Sequence, residues 1–533
     1  MSASTTDIPL RVQRPRLSPG DRTHSTDDTD ASLRSSSLDS FDINTEDNPT
    51  HMALERRLGL WSGMAIVMGS IIGSGIFSTP ALILESVGSV GMSLVVWVVG
   101  ALVSLCGCAA YMELGTMLPQ SGGEKAYLDA AFPRPRALLA FVFCACAIFV
   151  ASPSGLAADG VVAGSYLLYA ATGQAQGHAA WAERLIGVLV TVLCGVIHAV
   201  CARAAIRVQT VLTVVKALLL VLVVAVGALS ALSAPNAGAA AAATPSDLFA
   251  GSARNANAYA GALFKVFFAY SGYTALNYAV DELRDPARTL PRAALGGLAL
   301  TALLYILSNV AYFAVLDANA VRSAGTTVAG VFFTRTLGPL WGQRVVPVLI
   351  ALATLGNVMC GTFAASRLVF AAAREGYVPM GHLWGAVSMR FQTPVWALGA
   401  STVLTCVYIV APPPGQAYAL LIDVGGYSTW VFSGLAVLGL LRLRWTRREL
   451  PRPFRVWMLA VAVSLAAAAF MCVAPFVSPP PASETEAEPA ATLPYWAAPL
   501  ASAAFIVLAC GLWYVQVILC RGLERAQYIK QGG

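Results

Sequence analysis

Charge is what this sequence has least of. Asp, Glu, Lys and Arg together make up 12% of it, against 57% hydrophobic residues and a mean hydropathy of +0.67. A soluble domain cannot keep its surface solvated on so little charge, so the balance excludes that class and identifies a polytopic membrane protein. No nucleophile elbow, phosphate loop or metal-ligand cluster is found, which removes the motifs by which a membrane enzyme would be recognised. The eleven cysteines are scattered, many of them inside apolar runs (Cys106, Cys108, Cys144, Cys146, Cys194, Cys472 and Cys510), with no pair at metal spacing. They read as small packing residues, and neither a disulfide framework, a metal nor a cofactor is expected. The formal charge of +6 is spread over short loops and not gathered on one face, so nucleic acid is not an expected partner.

In chain order, residues 1–50 are rich in Ser, Thr, Asp and Arg and lack apolar periodicity. They read as a disordered tail with candidate phosphorylation sites at Ser35–Ser40, and the first apolar span is expected to act as the insertion signal. Apolar segments then recur at about 60–84, 91–114, 137–158, 161–170, 184–202, 208–232, 259–281, 294–316, 343–373, 394–411, 417–443, 455–477 and 495–519. Full segments are near the ~20 residues that cross a bilayer. Merging 137–158 with 161–170 into one long third helix, broken near Ser152-Pro153-Ser154-Gly155, predicts twelve spans. The expected fold is therefore an all-α polytopic membrane protein, with a transporter core over 58–455, helices 11 and 12 over 455–519 and a tail over 520–533.

Alternate connections carry the basic residues: Arg56 and Arg57; Lys125, Arg134 and Arg136; Arg203 and Arg207; Arg284, Arg288 and Arg292; Arg374 and Arg390; Arg442 to Arg455; Arg521, Arg525 and Lys530. The connections between them are poorer in basic charge, and the last holds Glu484, Glu486 and Glu488. The positive-inside rule then puts both termini in the cytoplasm, in agreement with an even number of spans. The run Ala237–Ala243 and the proline-rich stretches near Pro412 and Pro479 fall outside as linkers.

What the chain does have is an interrupted first span, Gly69-Ser70-Ile71-Ile72-Gly73-Ser74-Gly75-Ile76-Phe77. Irregular backbone at membrane depth is tolerated only against protein or a water-filled cavity. Gly73 and Gly75 are the places where the helical ladder breaks at least cost. A new half-helix starting there offers main-chain N–H groups and a positive dipole end to a carboxylate. The same small residues suit a helix-packing face, and taken alone they leave both readings open.

A second interruption, Phe264 to Tyr278 with Ser271-Gly272 at its centre, lies five spans later. Five being odd, the two broken helices run in opposite directions. That is the arrangement of a five-plus-five inverted repeat (helices 1–5 at about 60–232, helices 6–10 at about 259–443), whose discontinuous helices 1 and 6 meet at the substrate site. The first would offer N–H groups to an anion and the second would offer C=O groups to a cation. Together they describe an amino acid backbone.

At these residues the chain resembles the amino acid–polyamine–organocation transporters, specifically the L-type branch that supplies the light chains of heteromeric exchangers and is akin to fungal neutral amino acid or methionine permeases. The stretches carrying the resemblance are Gly69–Phe77, Gly88-Ser89-Val90-Gly91 with Trp97, Tyr111-Met112-Glu113-Leu114-Gly115, Ser121-Gly122-Gly123, Val208-Gln209 with Lys216, Phe268–Asn277, Asp285-Pro286 with Leu290-Pro291, and Ser366-Arg367-Leu368 with Arg374-Glu375-Gly376. They follow one order over about Leu58 to Arg455.

The resemblance implies that Ile71, Ser74 and Gly75 receive the substrate carboxylate. Phe268, Ser271 and Gly272 would receive the ammonium, with the Phe268 ring as the outer lid. Thr274, Tyr427, Thr429 and Trp430 would line the side-chain pocket, with Gly425-Gly426 in place of bulkier residues of the light chains leaving either a roomier pocket or a more mobile helix. A lysine near a bilayer centre costs ~2.5–3.5 kcal/mol on insertion scales, so it ordinarily has a partner and a role. In the resembling transporters a lysine at the position of Lys216 occupies the ground that sodium takes in sodium-coupled carriers, which implies sodium-independent transport. The family asks for no lysine at Lys265; it either snorkels outward or draws anionic groups, and the sequence leaves the two open.

The departures also matter. Thr172–Arg184 contains no cysteine, so a covalent heavy-chain partner is not expected. Ser152 stands before Pro153 where the acidic-substrate exchanger has arginine, which favours large neutral substrates such as leucine and methionine over cystine or glutamate. The expected partners are thus an amino acid and the lipid bilayer, the expected location the plasma membrane, and the expected mechanism alternating access. A nutrient receptor with little flux and a proton-coupled permease are the other readings.

Overall fold

The computed structural model describes residues 58–119, 122–174, 180–233, 245–378, 380–388, 390–391, 393–413, 417–477 and 494–520. The expected tail 1–50, the run Ala237–Ala243, the acidic connection at Glu484–Glu488 and the tail from Arg521 lie outside them. The helices in order are α1 (Leu60–Ile71), α2 (Gly75–Val87), α3 (Val90–Met117), α4 (Glu124–Ala131), α5 (Leu138–Cys146), α6 (Ser152–Thr172), α7 (Ala180–Val200), α8 (Ala202–Ser233), α9 (Pro245–Leu248) and α10 (Ala256–Tyr270). They continue as α11 (Pro286–Val315), α12 (Ala318–Ala324), α13 (Val328–Leu337), α14 (Val346–Arg374), α15 (Gly381–Trp384), α16 (Val395–Val410), α17 (Ala417–Thr446), α18 (Met458–Val473) and α19 (Ala497–Trp513). Among the described residues the one β feature is an isolated bridge between Leu58 and Leu283, which ties the start of α1 to the end of the second interruption.

Polarity is arranged for lipid. Leu185, Leu189, Leu193 and Val196 on α7, and Val211, Val214, Leu218 and Val221 on α8, are exposed, whereas Ser74, Glu113, Asp159, Lys216, Asn277 and Asn309 are buried. In a bilayer the apolar exterior costs nothing, and polar groups belong where they find partners. Among the described residues nine helices are long and apolar enough to cross a membrane, or ten when the bent pair α1 and α2 counts as one span. The fold is a polytopic all-α membrane protein. The expected sixth and ninth spans fall on α10 and α16, of 15 and 16 residues.

The third span is one continuous stretch, Leu138–Thr172, as the merged segments predict, but the expected break at Ser152–Gly155 is replaced by a π-helical turn at Ala147–Ala151. The cause is Pro153. A proline inside a helix donates no N–H and crowds the carbonyl four residues back, here that of Phe149. A widened turn relieves the crowding, and the orphaned Phe149 carbonyl accepts a hydrogen bond from the Tyr408 hydroxyl of α16 at 2.7 Å.

At the arginine-rich end, Glu113 of α3 is fully buried and accepts from Arg444 Nε of α17 at 2.8 Å, from Arg444 Nη2, and from the Val456 N–H at 2.8 Å. Removing one partner of such a pair leaves an uncompensated buried charge, a loss of about 3–5 kcal/mol. Arg444→Ala is therefore expected to lower the thermal unfolding midpoint of the detergent-purified protein by many degrees; an unchanged midpoint would remove the pair from the account. At the opposite end lie α12 and α13, which carry no spanning-length apolar run, and Arg322 Nη2 donates to the Gly88 carbonyl just past α2 at 2.7 Å.

Candidate functional site

The first interruption is real and sharp. The Ile72 N–H closes α1 on the Met68 carbonyl at 2.9 Å, Ile72 itself is extended (φ −71°, ψ 100°), and α2 restarts at Gly75 on an axis bent by 46°. The second lies where α10 stops at Tyr270. Ser271 is extended, and two short 3-10 turns, Ala275–Tyr278 and Val280–Glu282, follow.

The two interruptions press on each other. A Cβ on Gly75 would stand 2.6 Å from Ala269 Cα, and one on Gly272, whose φ is +102°, would stand 2.6 Å from the Ser70 carbonyl oxygen. Both glycines are required by close approach, and Gly272 by its backbone angle as well. Gly73 is held similarly, with Asn357 Nδ2 at 2.6 Å from its would-be Cβ.

Buried polar groups converge on the first break from four other spans. Lys216 of α8, 1% exposed, donates from Nζ to the Gly69 carbonyl. Tyr305 of α11 donates to the Ile71 carbonyl at 3.1 Å, and Tyr166 of α6 donates to the Phe77 carbonyl at 2.7 Å. Asp159 of α6, 3% exposed, accepts from Ser74 Oγ through Oδ1 and from Asn357 Nδ2 of α14 through Oδ2 at 2.7 Å. The Ser74 main-chain N–H lies against the same carboxylate. Asp159 and Asn357 were not anticipated from the sequence, although Asp159 is the one acidic residue between 138 and 172.

The predicted residues do not all gather. Ser74 and Gly75 sit at the start of α2, Gly75 against the second break and Ser74 on Asp159, but Ile71 is the last residue of α1, with its carbonyl taken by Tyr305. Phe268 sets its ring edge-on to Tyr418 of α17 at 6.1 Å, while its carbonyl accepts from Ser271 N–H at 3.2 Å and Ser271 Oγ at 2.7 Å. Thr274 opens the first 3-10 turn beside Gly272. Trp430 packs on Phe267 at 4.4 Å. Thr429 lines a cavity of about 40 Å3 with Glu124, Phe143, Cys146, Ser428 and Phe432, room for a few waters. Tyr427 points elsewhere, onto Phe476 beyond α18 at 6.0 Å.

Gly425 and Gly426 do not open the pocket. A Cβ on the first would meet Ser154 Oγ at 2.1 Å and one on the second Phe264 Cδ1 at 2.7 Å, so the missing side chains are replaced by close neighbours. Lys265 turns inward: Nζ donates to the Gly261 carbonyl at 3.0 Å and faces the Asp423 carboxylate of α17. Glu124, on the connecting helix α4, takes the Tyr278 hydroxyl. Desolvation raises its carboxyl above the usual range, and that hydrogen bond pulls the other way.

A sequence profile described as amino acid permease matches residues 58–499. The chain belongs to the amino acid permease family. Its relatives include the b(0,+)-type amino acid transporter 1 of Mus musculus, 31% identical over 80% of this chain and 84% of the relative. The Asc-type amino acid transporter 1 of Mus musculus is 34% identical over 80% and 78%, and the high-affinity methionine permease of Saccharomyces cerevisiae 30% identical over 83% and 76%. In this chain the matched stretch takes in both broken helices, Asp159, Lys216, Asn357 and α17.

Proposed function

We propose that the chain is a secondary transporter of L-amino acids with large neutral side chains, of the leucine and methionine type, working by alternating access and without sodium. The observation that carries this reading is the contact between the two broken helices, Gly75 against Ala269 and Gly272 against Ser70. One break would supply a helix N-terminus to a carboxylate through Ser74 and Gly75, and the other would supply carbonyls to an ammonium at Ser271 and Gly272, with the Phe268 carbonyl reaching it once Ser271 lets it go. Thr274, Thr429 and Trp430 would border the side chain. The Phe268 and Tyr418 rings form the lid over it.

Sodium independence is supported by the Lys216 ammonium on the Gly69 carbonyl, a fixed cation at the carbonyls that the break would leave to an ion. The five-plus-five inverted repeat, cytoplasmic termini, plasma-membrane residence and work without a covalent heavy chain complete the proposal, on the charge pattern and the missing cysteine set out above. The methionine permease among the relatives favours methionine as a substrate.

Binding of radiolabelled methionine to the purified full chain, competed by unlabelled leucine, glutamate and arginine, tests the substrate class. Leucine should displace the label and the charged amino acids should not; displacement by glutamate or arginine alone would refute it. Phe268→Ala removes the lid, and uptake is expected to fall by about tenfold with binding less affected, because the ring acts in occlusion more than in ground-state recognition. Unchanged uptake would take Phe268 out of the gate.

A further inference from the structure

Asp159 is the feature this reading does not absorb. A carboxylate buried at the depth of the broken helix needs a reason to be there. On the reading above it is more than a structural acceptor, because the donor it holds, the Ser74 hydroxyl at the start of α2 with the Ser74 N–H beside it, is the one that reading gives to the substrate carboxylate. Two ionised carboxylates cannot share one set of donors at contact distance without strong mutual repulsion.

The groups that bear on its charge come from every side. Lys216 of α8 is the nearby cation, its own Nζ directed at Gly69; Tyr305 of α11 and Tyr418 of α17 are the nearby phenols; Cys360 of α14 adjoins Lys216. Where α6 meets α7 and α16, at Gly160, the neighbours are Thr191, Gly187 and Ile409, none of them ionisable in the working range. Asn357 donates to Oδ2. A protonated Asp159 keeps that bond, releases the Ser74 donors and gains an O–H to offer.

We infer that Asp159 is the proton site of transport: the substrate's α-carboxylate takes over the Ser74 donors when Asp159 binds a proton, so that one proton and one amino acid bind, cross and leave together. This rests on the amino acid reading above. The proton goes from the outer solution to an Asp159 carboxylate oxygen, and on release inside, the carboxylate returns to Ser74. Linkage makes the coupling reciprocal: acid tightens substrate binding, and substrate raises proton affinity by the same factor.

The test uses full-length protein in sodium-free proteoliposomes with radiolabelled leucine, with and without an inward proton gradient from external pH about 5.5 to internal pH about 7.5. The gradient should raise wild-type uptake by about fivefold or more, and Asp159→Asn should lose that response at whatever rate it retains, while Asp159→Glu keeps it in part. In detergent, wild-type leucine binding should tighten by about tenfold over the same pH fall and Asp159→Asn binding should not change, a comparison that survives loss of transport in the variant. Wild-type leucine transport indifferent to the gradient, or an Asp159→Asn response equal to wild type, overturns the proton role and leaves the transporter reading intact. Uptake of isoamylamine, leucine without its carboxylate, in place of leucine would overturn both and make Asp159 an amine receptor.

Discussion

Valine at position 75 is expected to abolish leucine and methionine uptake. The added Cβ alone would lie 2.6 Å from Ala269 Cα and 2.7 Å from Ala269 Cβ, with backbone and not a flexible side-chain tip in the way. Overpacking of this kind costs about 1–3 kcal/mol, and here the strain falls on the junction of α2 with α10, which in the proposed mechanism brings the two half-sites onto one substrate. Converted to an equilibrium between closed and open junctions, that is about five- to 150-fold against the competent state. Gly75→Ala should show the smaller loss and Gly75→Val the larger, at matched protein in the liposomes. Uptake above half of wild type in Gly75→Val would mean that the junction does not hold the substrate.

Lys216→Met is the second large effect. The side chain is 1% exposed, its ammonium bonds to the Gly69 carbonyl, and the Asp159 carboxylate lies within its field. Methionine fills the volume but leaves that carbonyl unbonded and the carboxylate without its nearest cation, a loss of about 3–5 kcal/mol when one partner of a buried charge system is removed. Uptake should fall by about a hundred- to several thousandfold, and the thermal midpoint should drop with it. Arginine is not an equivalent replacement, since its planar fork cannot deliver a point charge to one carbonyl in the same space. A Lys216→Met protein with normal uptake would show that the cation is not needed at the break.

Much of this was legible before the fold was known, because a bilayer leaves few alternatives. Apolar runs of spanning length become helices, and small residues inside them mark where the backbone departs from the ladder; both interruptions fell where Gly69–Phe77 and Ser271-Gly272 predicted. The family, too, was readable from motifs in register. Asp159 escaped because the third span, read as 137–158 and 161–170, placed it in the gap between two apolar runs, while Pro153 drew the expected break upstream. Asn357 escaped because one amide in a long apolar helix carries no spacing signal; its meaning comes from Asp159, 198 residues away. Gly425-Gly426 misled for a related reason: a missing side chain predicts space only when no neighbour moves in, and Ser154 and Phe264 lie on other helices.

The measurement that bears most directly on the two breaks forming one amino acid site is counterflow. Purified wild-type and Gly75→Val proteins in sodium-free proteoliposomes, loaded with unlabelled leucine at equal pH on both sides, are given tracer methionine outside. Transient accumulation of tracer by the wild type above the empty-liposome level, absent with Gly75→Val, is the predicted result. No accumulation by wild-type protein that still binds methionine would contradict a transporter and point to a receptor.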